Sequence, residues 1–328
     1  MNYLIKNISL TILLTLLITM ASPADVLAQL TDTTGLGSGM RGAPHIYKFD
    51  TRTTALGDAT VSDPTNLSSI NINPAALSFI HNFEAMEFNT FQNWNNNLLF
   101  ANVTLPVFSF RNNRLAAQFA AFNSGLDAAN PLGDSPQPEP DISMYQADFA
   151  YSFSMENTFS FGVFNSTTLS KNEDAQFWTN FTTLGMLYAP TATLSYGITF
   201  RGLGRSVVYN ISPEGNTTLE SQDLREILEL GATIKFPVEA EETDIALSLA
   251  NEKRFGQPGI WYKIGFEFIA ASAVALRTGF ILQPEQELFS PRLGFGLISD
   301  VIEFNYALSF QDRMYERFHQ VGVTINLD

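Results

Sequence analysis

Residues 145–153 read Tyr145-Gln146-Ala147-Asp148-Phe149-Ala150-Tyr151-Ser152-Phe153. Tyr145, Ala147, Phe149, Tyr151 and Phe153 share one parity, with Gln146, Asp148, Ala150 and Ser152 on the other. Successive side chains on a strand point to opposite faces, so this stretch makes one apolar and one polar face. Residues 194–201 repeat the pattern, with Leu194, Tyr196, Ile198 and Phe200 set against Ser195, Gly197, Thr199 and Arg201. From Phe83 onward the chain is a series of such segments with almost no helical period between them. Strands are expected over 83–91, 97–105, 114–123, 142–153, 157–168, 178–188, 193–205, 225–236, 243–251, 260–269, 272–282, 291–298, 301–310 and 317–327. The expected fold class is all-β: a transmembrane antiparallel up-and-down β-barrel of about fourteen strands, apolar outside and polar within.

The connections carry independent information. Those after even strands are short, such as 154–157, 189–191, 270–271 and 299–300. Those after odd strands include the long segments 124–141, 171–177 and 206–224. Tight turns on one side and long loops on the other are the pattern of outer-membrane barrels. Alternation by itself also fits a soluble sandwich. The polar parity, however, is rich in Gly, Ser, Thr and Asn rather than Lys and Glu. Aromatic residues gather at the two strand ends: Phe153, Phe159, Tyr188, Phe236 and Phe268 at the short turns, and Trp94, Trp178, Tyr209, Tyr262 and Tyr315 opposite.

Ten charges within the expected strands fall on the polar parity: Glu87, Asp148, Arg201, Glu229, Lys235, Lys263, Glu267, Arg277, Arg292 and Glu303. Acids and bases are equal in number, and a buried unpaired charge costs several kcal/mol, so mutual neutralisation or contact with a plug is expected. Lys235, Lys263, Glu267, Arg277, Arg292 and Glu303 suit a ladder of opposite charges in the lumen. Such a network is either purely structural or lines a substrate path.

The first residues read as a secretory signal over 1–28: Lys6, the apolar run from Ile8 to Met20, and the small-residue site Val26-Leu27-Ala28. The chain has no cysteine, so neither a lipoprotein anchor nor a disulfide is expected. Charged residues make up 16% of the chain, against about 25% in ordinary soluble domains. The net charge of −15 argues against nucleic acid, whose phosphates need a basic face. Most acids lie in the expected loops, where they solvate the barrel mouths. After the signal, 29–82 is rich in Gly, Thr and Asp, and its apolar residues follow no sustained period. Turns and one short helix are expected there, the helix starting at Pro74 with Asn73 as its cap. The barrel follows over 83–328.

Catalytic chemistry is missing from the pattern. The three histidines, His45, His81 and His319, have no spaced partner for a metal or base. No Gly-x-Ser-x-Gly elbow, phosphate loop, Cys/His cluster or calcium loop occurs. No catalytic, cofactor-binding or metal-ligating residue is expected, and no cofactor.

The N-terminal block carries a resemblance. Ala55-Leu56-Gly57-Asp58-Ala59 followed by Asn73-Pro74-Ala75-Ala76-Leu77 resembles the paired motif of the FadL-like outer-membrane barrels. That superfamily includes the long-chain fatty-acid transporters and the PorV/PorQ proteins of type IX secretion. Ala275-Leu276-Arg277-Thr278-Gly279-Phe280, Gly294-Phe295-Gly296-Leu297 and Glu303-Phe304-Asn305-Tyr306-Ala307 look like later strands of the same family. The resemblance implies a fourteen-stranded barrel with 29–82 folded inward as a hatch or plug. Leu56, Gly57, Ala59, Asn73, Pro74 and Ala75 form its hatch motif. It also implies the bacterial outer membrane as location, with membrane lipid around the wall. The chain departs from FadL-type transporters in its loops: 127–141 carries four prolines and is acidic rather than amphipathic. Its length and modest loops resemble PorV/PorQ more closely. The expected role is therefore non-enzymatic, in type IX secretion or surface attachment, with protein cargo or secretion-system subunits as partners. The alternative is transport of small hydrophobic compounds. That alternative calls for a pocket lined by Phe100, Phe122, Phe164, Trp261 and Phe318.

Overall fold

The computed structural model describes residues 50–64, 67–80, 85–93, 98–105, 108–123, 143–156, 158–171, 175–211, 217–238, 243–310 and 317–326. The expected signal peptide over 1–28 and the expected loop 124–141 lie outside the described residues. One antiparallel sheet holds sixteen strands. They are β1 (Ala85–Asn93), β2 (Leu98–Thr104), β3 (Phe108–Phe110), β4 (Asn113–Asn123), β5 (Ser143–Met155), β6 (Phe159–Lys171), β7 (Ala175–Thr191) and β8 (Leu194–Ile211). The rest are β9 (Thr217–Asp223), β10 (Ile227–Val238), β11 (Thr243–Arg254), β12 (Trp261–Ala270), β13 (Val274–Gln283), β14 (Leu288–Ile298), β15 (Ile302–Phe310) and β16 (Arg317–Asn326). β1 pairs with both β2 and β16, and β8 pairs with β10, so the sheet closes on itself. β3 pairs with β4 alone and β9 with β8 alone, which leaves sixteen less two, or fourteen, strands in the closed ring.

Closure decides which face is which. Along β5, alternate residues from Met144 to Ser154 are buried, and Asp148 and Ser152 are wholly so. Their neighbours Tyr145 and Phe149 are 62% and 61% exposed. The same inversion holds on β12 to β14, where Phe266, Leu276, Leu293, Phe295 and Leu297 are exposed while Lys263, Glu267 and Arg277 are buried. A water-soluble sandwich turns its apolar face inward. Here the apolar face looks out and the polar face encloses an interior, as a bilayer-spanning barrel requires. Phe153, Tyr188 and Phe236 are exposed at the short turns, and Trp178 and Tyr262 at the other end.

Two local departures from the expected strands have physical causes. The expected loop 206–224 contains a hairpin, because β8 continues to Ile211 and pairs with β9 beyond the ring. The register of β7 and β8 slips between Thr182 and Leu184, opposite Gly202 at φ +83°. A left-handed residue is what a bulge needs, and glycine supplies it without strain.

Residues 50–64 and 67–80 lie against the inward face of the ring. They form a short helix α1 (Thr51–Ala55) and two 3₁₀ turns, Leu67–Asn71 and Pro74–Phe79. The helix expected at Pro74 is thus a 3₁₀ turn, and the α-helix sits at Thr51. Thr51-Arg52-Thr53-Thr54 is rich in β-branched residues with weak helix propensity, so it gave no periodic signal. The Asp50 carboxylate caps it, accepting from Arg52 N at 3.2 Å and Thr53 N at 2.9 Å.

Candidate functional site

The interior is built by a belt of small inward residues on which the N-terminal segment lies backbone to backbone. A Cβ added at Gly162 of β6 would overlap the backbone of Pro74 and Ala75, and one at Gly279 of β13 the backbone of Leu56 and Gly57. Gly197 of β8 and Gly265 of β12 meet Val61 and Leu56 in the same way. Gly57 itself has φ +65°, a left-handed turn against the Phe280 amide. In the sequence such glycines read only as part of a polar face. Their placement on the inward parity of successive strands was the signal for a close-lying segment.

The residues of the paired motif meet in this belt. Leu56, Ala59, Asn73, Pro74 and Ala75 are buried. Asn73 joins the two halves of the motif: its Nδ2 donates to Val61 O at 2.7 Å and to Met186 O of β7 at 3.0 Å. Its Oδ1 accepts from Ala75 N at 3.1 Å, which caps the 3₁₀ turn. Ser160 of β6 donates to Ala75 O, Ser195 of β8 to Ser62 O, and the hydroxyls of Ser78 and Ser152 stand 2.6 Å apart.

Charged side chains hold the segment from both sides. Toward the short turns, Arg52 pairs with Glu267 at 2.5 Å and Asp63 at 2.6 Å, and Lys235 reaches Asp63 at 3.4 Å. Glu267 also takes Arg277 at 2.6 Å, and Arg277 reaches Glu303 at 3.4 Å and bonds Asn305. Toward the long connections, Arg292 pairs with Asp58 at 2.8 Å. There Arg201 and Lys263 share Glu229 and Glu252, at 2.9 and 2.7 Å for Arg201 and 3.0 and 2.5 Å for Lys263. Burial works against the charge on Arg52, but Asp63 and Glu267 outweigh it and hold its pKa well above the usual value. Burial likewise raises the Asp50 carboxyl, against the hydrogen bonds from Thr53 and the charge of Arg52.

Arg201, Glu229, Lys235, Lys263, Glu267, Arg277, Arg292 and Glu303 therefore each have an ion-pair partner. They form no single ladder: Lys235 and Arg292 pair with the N-terminal segment, whereas Lys263 belongs to a separate cluster. Glu252 and Arg254 complete that cluster and were missed, because Asn251-Glu252-Lys253-Arg254 reads as a solvated run although β11 extends through it. Asp148 stands apart from these pairs. Among the described residues its carboxylate accepts from neutral donors, Gln146 Nε2 lying 3.0 and 2.9 Å from its two oxygens.

Of the residues expected to line an apolar pocket, Phe164 faces inward, packed with Phe181, Leu67, Ile70 and Leu77. Trp261 is half-buried under the Arg254 guanidinium, 4.0 Å from its ring. The side chains of Phe100, Phe122 and Phe318 lie outside the described residues.

No protein-family model matches the chain, and no curated protein does. Solved structures do match. The Pseudomonas putida toluene transporter TodX aligns over 84% of this chain and 96% of its own at 13% identity, with a TM-score of 0.57. The Ralstonia pickettii toluene transporter TbuX covers 84% of this chain and 97% of its own at 11% identity and a TM-score of 0.56. A Pseudomonas aeruginosa FadL homologue covers 85% and 98% at 12% identity and 0.54. At such identities the likeness is one of fold. It agrees with the closed antiparallel barrel expected from the alternating strands.

Proposed function

We propose that this barrel passes small hydrophobic compounds across the outer membrane, with the N-terminal segment as a hatch in its lumen. The observation that carries the reading is the belt: a segment from one end of the chain rests on inward glycines of β6, β8, β12 and β13, within a closed ring. A wall built to receive that segment at backbone distance suits a closure. The solved structures similar in fold include two toluene transporters, which favours transport over the secretion role that chain length and loops suggested. No observation on the site itself favours protein cargo. The inward charges then act as the hatch's tethers rather than as a substrate lining, since Arg52, Asp58 and Asp63 each pair with a barrel side chain.

The chain has no native cysteine, which permits a clean test. Ser78→Cys with Ser152→Cys places two thiols where the hydroxyls stand 2.6 Å apart, close enough for a disulfide. Cells carrying the oxidised pair are expected to lose uptake of radiolabelled toluene, and reductant should restore it. Equal toluene entry with the barrel present, deleted or locked would end the transport reading.

A further inference from the structure

Among the described residues Asp148 has no cation within ion-pair distance, unlike Glu229, Glu252, Glu267 and Glu303. It is wholly buried on β5, and its described contacts are to neutral groups. Register places Gln118 of β4 and Ser166 of β6 directly beside it, and Thr168 beside Gln146. All of these are buried, and Gln146 Oε1 and Thr168 Oγ1 have no hydrogen-bond partner. The same row continues through Thr104 to Glu87 of β1, so this wall carries two carboxylates. Arg114 is the sole inward cation on β1, β2 and β4 to β7 among the described residues. It lies four positions along β4 from Gln118, with Nη1 on the Arg111 and Asn113 carbonyls.

A buried carboxylate without a counter-charge is costly, and unsatisfied oxygens beside it add to the cost. Both costs vanish if a positive charge sits among them. We propose that the wall formed by β4, β5 and β6 binds a monovalent cation, an alkali-metal ion or a protonated primary amine. Asp148 supplies the charge. Gln146 Oε1, Ser166 Oγ and Thr168 Oγ1 supply neutral oxygens, the donor type that hard cations and ammonium groups share. A single carboxylate among neutral oxygens matches one positive charge, and among the described residues no cluster of three acidic or histidine side chains exists to hold a divalent ion. The site stands whether or not the barrel transports hydrophobic compounds.

The test uses the full-length barrel in detergent, its unfolding temperature followed by heat-modifiable gel mobility. Chlorides of sodium, potassium, methylammonium and the bulky N-methylglucamine are compared at one ionic strength. Sodium, potassium or methylammonium is expected to raise the unfolding temperature over N-methylglucamine in a saturable way, and which salt does so separates a metal ion from an amine. Asp148→Asn should abolish the dependence and should unfold later than the native barrel in N-methylglucamine, because an uncompensated charge has gone. Thr168→Val keeps the carboxylate and is expected to weaken the apparent affinity roughly tenfold, at about one hydrogen bond to a charged group. It serves as the test if Asp148→Asn fails to fold. Equal unfolding temperatures in all four salts would overturn the proposal, as would a salt dependence that survives in both variants.

Discussion

The two halves of the interior hold the same segment by different means. From β8 to β15 ion pairs are added to close packing: Arg52 on Glu267, Asp63 on Lys235, Asp58 on Arg292. From β4 to β7 the contacts are uncharged: Leu67, Ile70, Leu77 and Ile80 pack against Ala116, Ala150, Phe164 and Phe181, with neutral hydrogen bonds at Asn73, Ala75 and Ser78. The difference bears on reversibility. Ion pairs between fixed partners are specific in register, and each leaves a penalty behind when one member goes. Apolar packing is graded in area and indifferent to direction. A segment anchored by charge on one wall and by packing on the other is expected to swing from the packed side first. The packed residues can slide over one another without exposing a bare charge.

The comparison breaks most visibly at Glu267. Glu267→Ala leaves Arg52 and Arg277 facing each other with only Asp63 and Glu303 remaining. A loss of about 3 kcal/mol is expected, at the low end for a broken buried pair because those two acids remain. Urea unfolding in detergent should show it, together with faster proteolysis within 50–80. Leu77→Ala probes the packed wall, where Leu77 is wholly buried, and is expected to cost about 2–3 kcal/mol. Combining the two sharpens the contrast. If the walls act independently, their effects add to within about 0.5 kcal/mol; a larger coupling means that the segment docks as one rigid body.

How much of this was legible beforehand depended on period. The closed ring was readable because each strand repeats every second residue, so Tyr145 and Phe149 declare one face and Gln146 and Asp148 the other. The inward charges were readable for the same reason. Their partners were not, because Arg52, Asp58 and Asp63 lie in a segment without periodicity that long-range packing alone positions. β3 and β9 escaped notice because three residues and a polar run such as Thr217–Asp223 have no apolar alternation to read. The extent of β11 was missed because inward charges at a strand end look like a solvated loop.

The smallest expected effect lies at a hydroxyl pair between segment and packed wall, Ser78 with Ser152. Ser152 is wholly buried and Ser78 is half-buried. Ser152→Ala removes a hydroxyl whose partner can turn to other acceptors, so about 1 kcal/mol is expected. Ser78→Ala leaves the buried Ser152 hydroxyl unpaired and should cost slightly more. The double variant removes both and should cost less than the sum, with a coupling of about 0.5–1 kcal/mol. That coupling is well below the loss at Glu267, which is the ordering the comparison requires. A coupling as large as the Glu267 loss would mean that the neutral hydrogen bonds on the β5 wall hold as strongly as the ion pairs opposite, and the packed side would then have no claim to open first.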